Sequence, residues 1–511
     1  MKFRFTNHSA IFGLLIIASN FSVQAQIITG PLGEKFEARL VAKDLSDPWE
    51  ITYGPDNNLW VTEAKGYQVS KINPADGKKT VLLDLNSQRE FPRYDKTSKE
   101  KGAKPWPQGG LMGMAVHPGL LKDKPYVYLV YVYHYDGYDK EGSGCADNYG
   151  GCRFRGRLVR YNYDEKAQKL NVPVVLCDSI PQSNDHNGGR LTIAPVNGKS
   201  YLFYSTGDMG AGQFGNAGQP NHAQDKNSYE GKILRFNTEA DDDANGGDKC
   251  IPNDNPFNGK KQNAVWSTGH RNPQGLAYAT IKGTGYLYQN EHGPFSDDEV
   301  NIISKGKNYG HPLISGYADG NYDGLAASVS KHDSLPGKWN TTYPLIVSEQ
   351  ATAKKMGANY WDPIISLYPN PNEMLTKLYK ERLTGNEEGQ WASEAPSSIE
   401  VYTSDAIPGW KNSLLISTLK GNKLIRLKLN DKGDKIVGNT LSYFKNKIRY
   451  RDIAISPDGK RIYLSVDSTS ASSNPAKENP EKIYNPGTII EFTYTGAPNT
   501  KTVDRRKKKA K

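Results

Sequence analysis

The chain has 511 residues, of which 36% are hydrophobic, with 50 Gly, 30 Pro and 31 Tyr against only 6 Met and 14 Phe. That balance excludes collagen-like and wholly disordered chains and favours turns and strands over helix bundles. The net charge of +10 is concentrated at the ends: residues 501–511 carry seven Lys or Arg and one Asp, and Lys2 and Arg4 add two, leaving about +2 for the body. A basic nucleic-acid face is therefore not expected.

Lys2 and Arg4 precede an apolar run at residues 12–18 and the small-residue pattern Val23-Gln24-Ala25, the layout of a secretory signal peptide over 1–25. No later apolar run approaches the twenty residues of a membrane span. The expected organisation is a single domain over 26–497 in a periplasmic or secreted protein, followed by a basic disordered tail over 498–511. Such a tail can touch anionic surfaces or simply stay solvated. Export would permit disulfides among Cys145, Cys152, Cys177 and Cys250, with the pairing left open.

Along the body, a Pro/Gly/Asn/Asp turn repeatedly leads into a short apolar-aromatic strand. Gly54-Pro55-Asp56-Asn57 precedes Leu59-Trp60-Val61, and Pro118-Gly119 precedes residues 126–133. Pro195-Val196-Asn197-Gly198 precedes residues 201–204, and Lys282-Gly283 precedes Tyr286-Leu287-Tyr288. Pro408-Gly409 and Pro457-Asp458-Gly459 lead into Leu414-Leu415-Ile416 and Ile462-Tyr463-Leu464. Six such units without intervening helices predict an all-β six-bladed β-propeller with long capping loops, in preference to paired β-sandwiches. Residues 320–389 fit the repeat worst and are expected to cap one end of the axis. The strand after Gln26 is expected to close the ring with residues 488–494.

Four patches carry chemistry. In the turn 183–190, His186 beside Asp185 suits a general base, since imidazole titrates near neutrality, although such pairs also serve merely as turn formers. Gly269-His270-Arg271-Asn272-Pro273-Gln274-Gly275 packs a cation and amide donors into a tight turn. In residues 291–299 a Gly293-Pro294 bend precedes Asp297-Asp298-Glu299, a hard-oxygen set that suits Ca²⁺ or, equally, a solvated acid run. Lys420 follows a strand, and Arg449 and Arg451 stand at i, i+2, fit for a polyanion or for surface salt bridges.

Taken in this order, with the string 109–118 (Gly-Gly-Leu-Met-Gly-Met-Ala-Val-His-Pro), these patches resemble the soluble quinoprotein glucose dehydrogenases, the glucose/sorbosone dehydrogenase family, over about residues 47–494. The resemblance implies a six-bladed propeller that binds pyrroloquinoline quinone (PQQ) and Ca²⁺ over its axis and oxidises an aldose at C1 to the lactone. Electrons would pass to a quinone, a cytochrome or a dye; homodimerisation is left open, and no nucleic-acid partner is implied. By the same resemblance His186 is the general base and Asp208 the acid that holds its imidazole, while Gln108, Asp185 and Trp391 line the sugar site. Arg271 and Asn272 would reach the quinone oxygens, and Lys420, Arg449 and Arg451 the PQQ carboxylates. The carbonyls of Gly293 and Pro294 would bind the catalytic Ca²⁺, with Asp298, Glu299, Tyr309, Ser315 and Asp319 at further Ca²⁺ sites. The pattern breaks at Glu388, where glucose-oxidising members place a Tyr, and the nearby Cys pair is missing, so the resemblance does not specify the sugar. A Ca²⁺-dependent propeller lactonase would leave Lys420, Arg449 and Arg451 without a role. A non-catalytic carbohydrate-binding propeller would not need the base and cations to be intact.

Overall fold

A computed structural model of the protein describes residues 26–88, 108–136, 153–241, 247–385, 391–468 and 485–496. The expected signal peptide, Cys145, Cys152, Glu388 and the basic tail lie outside the described residues. Five sheets of four strands and one of five are each antiparallel. In chain order from Pro48, the first five blades span residues 48–84, 111–182, 191–268, 273–367 and 396–443. The sixth combines Tyr450–Ile455, Arg461–Val466 and Ile489–Gly496 with N-terminal strands.

The first strand of every blade lines the axis. Pro48–Tyr53, Leu111–Val116, Leu191–Val196, Pro273–Ile281, Pro396–Tyr402 and Tyr450–Ile455 contact one another in succession and return to the start, so the ring is closed. The six turn-strand units of the sequence all seed second strands. Leu59–Glu63 and Ser413–Thr418 are buried at every residue. A second strand lies between two hydrogen-bonded neighbours and between two adjacent blades, so alternation disappears and a continuous apolar run remains.

Closure differs from expectation in one strand. Gln26–Thr29 pairs only with Lys35–Ala42, and it is Lys35–Ala42 that pairs with Ile489–Gly496. The reason is Phe36, fully buried between the fifth and sixth blades against Trp410, Phe444 and Tyr494 at ring separations of 5.7, 5.0 and 5.8 Å. Gln26–Thr29 leaves Ile27 exposed at the rim and has no such anchor.

Between Ile302 and Ile365 the fourth blade carries a long insertion with the helix Glu349–Met356, and a second helix, Asn372–Leu383, follows that blade. Phe295, Tyr322, Trp339, Tyr343, Leu375 and Tyr379 give this cap its own core. Cys177 and Cys250 are free and pack against the core shared by the second and third blades, where burial pushes the Cys177 thiol up to about 12.

Candidate active site

Two kinds of loop emerge at the same end of the ring: those entering a first strand and those joining second to third strands. Gln108, Asp185, His186, Arg271, Asn272, Trp391 and Arg449 lie on the former. Asp208, Gly293, Pro294 and Lys420 lie on the latter. They surround a cavity of about 280 Å³ over the axis, lined by every expected quinone and sugar residue together with Gly293 and Pro294. Asp208 sits just behind it.

His186 occupies the left-handed backbone region at φ 50°, uncommon for a residue with a side chain. Its turn is held from within by Asn187, whose carboxamide accepts from Ser183 N and donates to Ser183 O, both at 2.7 Å. His186 Nδ1 meets Asp208 Oδ1 at 2.7 Å. Asp208 Oδ2 accepts from His311 Nε2 and the Tyr343 hydroxyl, each at 2.8 Å, and from Asn221 Nδ2 at 3.0 Å. Burial alone would raise the Asp208 carboxyl, but the His186 imidazole and the hydrogen bonds from His186 and His311 hold it far below the usual carboxylate range. Burial keeps His311 neutral, pushed down to about 4.

Gln213 defines which nitrogen of His186 is free to accept a proton. Its carbonyl accepts from Arg271 Nη2 at 2.7 Å, so its amide nitrogen faces Asp185 Oδ2 and His186 Nε2, each at 2.9 Å. Nε2 therefore accepts and Nδ1 donates to Asp208, the tautomer a general base requires. Asp185 also accepts from Gln108 Nε2 at 2.7 Å.

The rest of the cleft lining is rich in cations. Arg271, Lys420, Arg449 and Arg451 line it against one carboxylate, Asp185. Arg449 and Arg451 share Asp467, at 3.1 and 2.6 Å. Burial would raise Asp467, but Arg451 and Arg449 draw it below its ordinary value. Lys420 Nζ donates to the Trp391 carbonyl and lies 5.8 Å from the centre of its ring. Arg451 also donates to Gln274 Oε1 at 3.1 Å, and Gln274 donates to Asn272 Oδ1 at 2.8 Å. Asp467 thus lies beneath both arginines, and Asp47 also raises the Arg449 guanidinium.

At the Gly293-Pro294 bend, a Cβ on Gly293 would stand 1.8 Å from the Ser296 carbonyl, so only glycine permits this turn. Among the described residues no N–H or O–H donates to the Gly293 or Pro294 carbonyl. The further residues expected at Ca²⁺ sites have the following partners in the structure. Asp298 accepts from Gly293 N (3.0 Å), Glu394 N (2.7 Å) and Ser393 Oγ (2.6 Å), bracing the bend. Glu299 accepts from Gly316 N at 2.9 Å, and the Tyr309 hydroxyl donates to the Ile302 carbonyl at 2.6 Å. Asp319 accepts from Asn321 N at 3.2 Å, while the buried Ser315 Oγ has no hydrogen-bond partner. Among the described residues no group of three or more His, Cys, Asp or Glu side chains is arranged to hold a metal ion.

Residues 45–357 and 352–473 match the glucose/sorbosone dehydrogenase family. Over 481 residues the chain is 32% identical to the quinoprotein glucose dehydrogenase B of Acinetobacter calcoaceticus, covering 90% of this chain and 91% of that one. The chain belongs to the glucose/sorbosone dehydrogenase family. It is accordingly an oxidoreductase. Another member, the aldose sugar dehydrogenase YliI of Escherichia coli, is 26% identical over 83% of this chain and 88% of its own. The fold is shared with the PQQ-bound form of the aldose sugar dehydrogenase from Streptomyces coelicolor, at a TM-score of 0.56, 22% identity and coverage of 91% of this chain and 99% of that one.

Beyond the residues picked out in the sequence, this family member lines its cleft with Gln213, Phe214, Gln274 and His292, and braces it with Asp467. Gln274 and His292 lie inside strings already singled out. Gln213 and Phe214 sit in the glycine-rich loop that follows Asp208, and neither residue type marks a site by itself.

Proposed function

We propose that the protein is a periplasmic or secreted PQQ- and Ca²⁺-dependent aldose dehydrogenase that oxidises a sugar at C1 to the lactone and delivers electrons to a quinone, cytochrome or dye. The observation that carries this reading is the meeting, in one cleft, of a buried His–Asp pair with a wall of four cations. The donor set fits a tricarboxylate: Lys420, Arg449 and Arg451 would hold its carboxylates, and Arg271 and Asn272 its quinone oxygens. Ca²⁺ fits the Gly293 and Pro294 carbonyls, which are hard oxygens without a donor among the described residues. When bound, PQQ with its Ca²⁺ supplies a polarised two-electron acceptor.

The chain's own residues supply the rest. His186 Nε2 takes the proton of the C1 hydroxyl, and Asp208 stabilises the imidazolium that forms. Gln213 must release Nε2 for the hydroxyl to approach. Gln108, Asp185 and Trp391 then orient the sugar in the cleft.

The test is to load metal-free protein with PQQ and Ca²⁺ and follow dye reduction across a panel of aldoses. Sugar-dependent bleaching of the dye, requiring both additions, is expected. Absence of both PQQ binding and turnover would reject the assignment.

A further inference from the structure

We propose that His311 and Tyr343, two residues of the capping insertion, are positioning residues that set how strongly Asp208 holds the imidazole of His186, and through it the pH range in which the base works. This rests on the reading above, in which His186 takes the proton of the sugar hydroxyl. One acceptor for Nδ1–H is all that orienting an imidazole requires, yet Asp208 is bonded by four further donors. Its Oδ1 meets His186 Nδ1 at 2.7 Å and the Gly210 amide at 3.0 Å. Its Oδ2 takes His311 Nε2 and the Tyr343 hydroxyl, each at 2.8 Å, and Asn221 Nδ2 at 3.0 Å.

These four donors are neutral groups. Facing a carboxylate oxygen, His311 Nε2 carries a hydrogen, while the buried Nδ1 has no hydrogen-bond partner, so a second proton there would have nothing to donate to. Each donor aims the positive end of its N–H or O–H at Asp208. Together they keep a fully buried carboxylate ionised, and they also offset part of the negative field that reaches His186. A carboxylate with one partner grips an imidazolium tightly. One already bonded by four other donors grips it less, so the base is free of its proton at lower pH and passes on more readily the proton it has taken.

Both residues are buried and locked from several sides. His311 N donates to the Gly269 carbonyl at 3.0 Å, in the turn that carries Arg271, and its own carbonyl accepts from Gln224 Nε2 at 2.7 Å. The Tyr343 ring stands edge-on to His311, with centroids 5.6 Å apart and planes at 80°. A Cβ on Gly212 would lie 2.5 Å from the Tyr343 ring, so the loop that carries Gln213 runs directly against it. Thr341 Oγ1 fastens the same loop by donating to the Gly212 carbonyl at 2.5 Å. The other titratable or charged groups around the base are Asp185, whose Oδ1 lies 4.0 Å from Nε2, Arg271, held through Gln213, and His292 in the same cleft. None of the three hydrogen-bonds to His311 or Tyr343, so changing those two leaves their contacts intact.

The test follows kcat against pH in the PQQ- and Ca²⁺-loaded wild type, Tyr343→Phe, His311→Leu and His311→Gln. In parallel, NMR of ¹³C-labelled histidine in the full chain, assigned with His186→Gln, follows the His186 ring through its titration without turnover. Losing one donor should move the acid limb of the kcat profile up by about half to one pH unit in Tyr343→Phe and in His311→Leu, so that activity on the acid side falls about three- to tenfold. The NMR midpoint should move with it. His311→Gln, whose carboxamide offers an N–H in place of Nε2–H, should return both toward wild type. Uniform losses at every pH with the limb in place would mark both residues as merely structural and overturn the proposal, as would a limb that moves down. Tyr343→Phe, which removes a single oxygen, carries the test if His311→Leu does not fold. If the wild type oxidises no sugar, the functional assignment fails and the NMR midpoint alone decides: an upward shift in Tyr343→Phe supports the coupling, and an unmoved midpoint refutes it.

Discussion

Asp208 shows how much of this site is one atom's environment. Its two oxygens receive His186, His311, Tyr343, Asn221 and the Gly210 amide, so the carboxylate stays ionised in a place where burial alone would neutralise it. Its folded pKa is depressed, so its stabilising contribution is fully present above the unfolded value of about 3.9 and is lost progressively as pH falls from there toward the depressed folded value. Asp208→Asn should therefore lower the melting temperature at pH 7, with the gap to wild type closing toward pH 3 in a pH series of thermal melts. The same variant loses the acceptor that orients Nδ1–H, and its kcat should fall at least about tenfold. His186→Gln should keep PQQ affinity, measured by titration of the apo-protein, and lose roughly 10²–10⁴ in kcat; wild-type turnover would remove His186 as the base. The pairing of His186 with Asp208 was legible from a resemblance, but the role of Gln213, five residues after Asp208, in selecting the reactive nitrogen was not.

At the level of loops and strands, the site depends on close backbone crossings. A Cβ on Gly207 would lie 1.9 Å from the His186 carbonyl, so the loop after the second strand of the third blade supports the loop before its first strand. Gly207→Ala should destabilise the fold by about 1–3 kcal/mol, and it should depress kcat more than the stability loss explains by displacing the base. Chemical denaturation paired with steady-state rates would separate the two effects. The six apolar strands were readable because each is buried on both faces, whereas first strands, half of whose residues face a polar axis, lacked a comparable signal. Arg449 and Arg451 illustrate the limit. Their spacing suggested one strand face, yet Arg449 precedes Tyr450–Ile455, and what unites the two is Asp467, contributed by the loop after Arg461–Val466.

Across the whole molecule, stability rests on closing the ring and on a polar axis. Phe36→Ala should cost about 3–5 kcal/mol, because the ring it removes fills the junction between the last two blades. Denaturant melts of the full chain would measure this. Inside the axis Arg190 pairs with Glu50 and, at 3.0 Å, with Asp452, and its guanidinium lies 4.3 Å from the centre of the Trp49 ring. Burial and then Asp452 push the nearby Glu400 carboxyl up to about 8 against the pull of Arg190. A carboxyl raised in the folded state favours folding at acid pH and loses that advantage as pH climbs from about 4.5 toward 8. Glu400→Gln should thus raise the melting temperature at pH 8 while changing it little near pH 4. An equal shift at both pH values would contradict the assignment.

Strand seeds, blade number and the strings around His186, Arg271 and Gly293 were written into the chain locally, because apolar runs and tight turns follow from neighbouring residues alone. The partner of the last sheet, the shared Asp467, the amide of Gln213 and the exposed ring of Phe214 emerged from packing. Each depends on contacts between segments far apart in the chain, and short-range pattern carries no information about which distant loops a closed ring will bring to the same end.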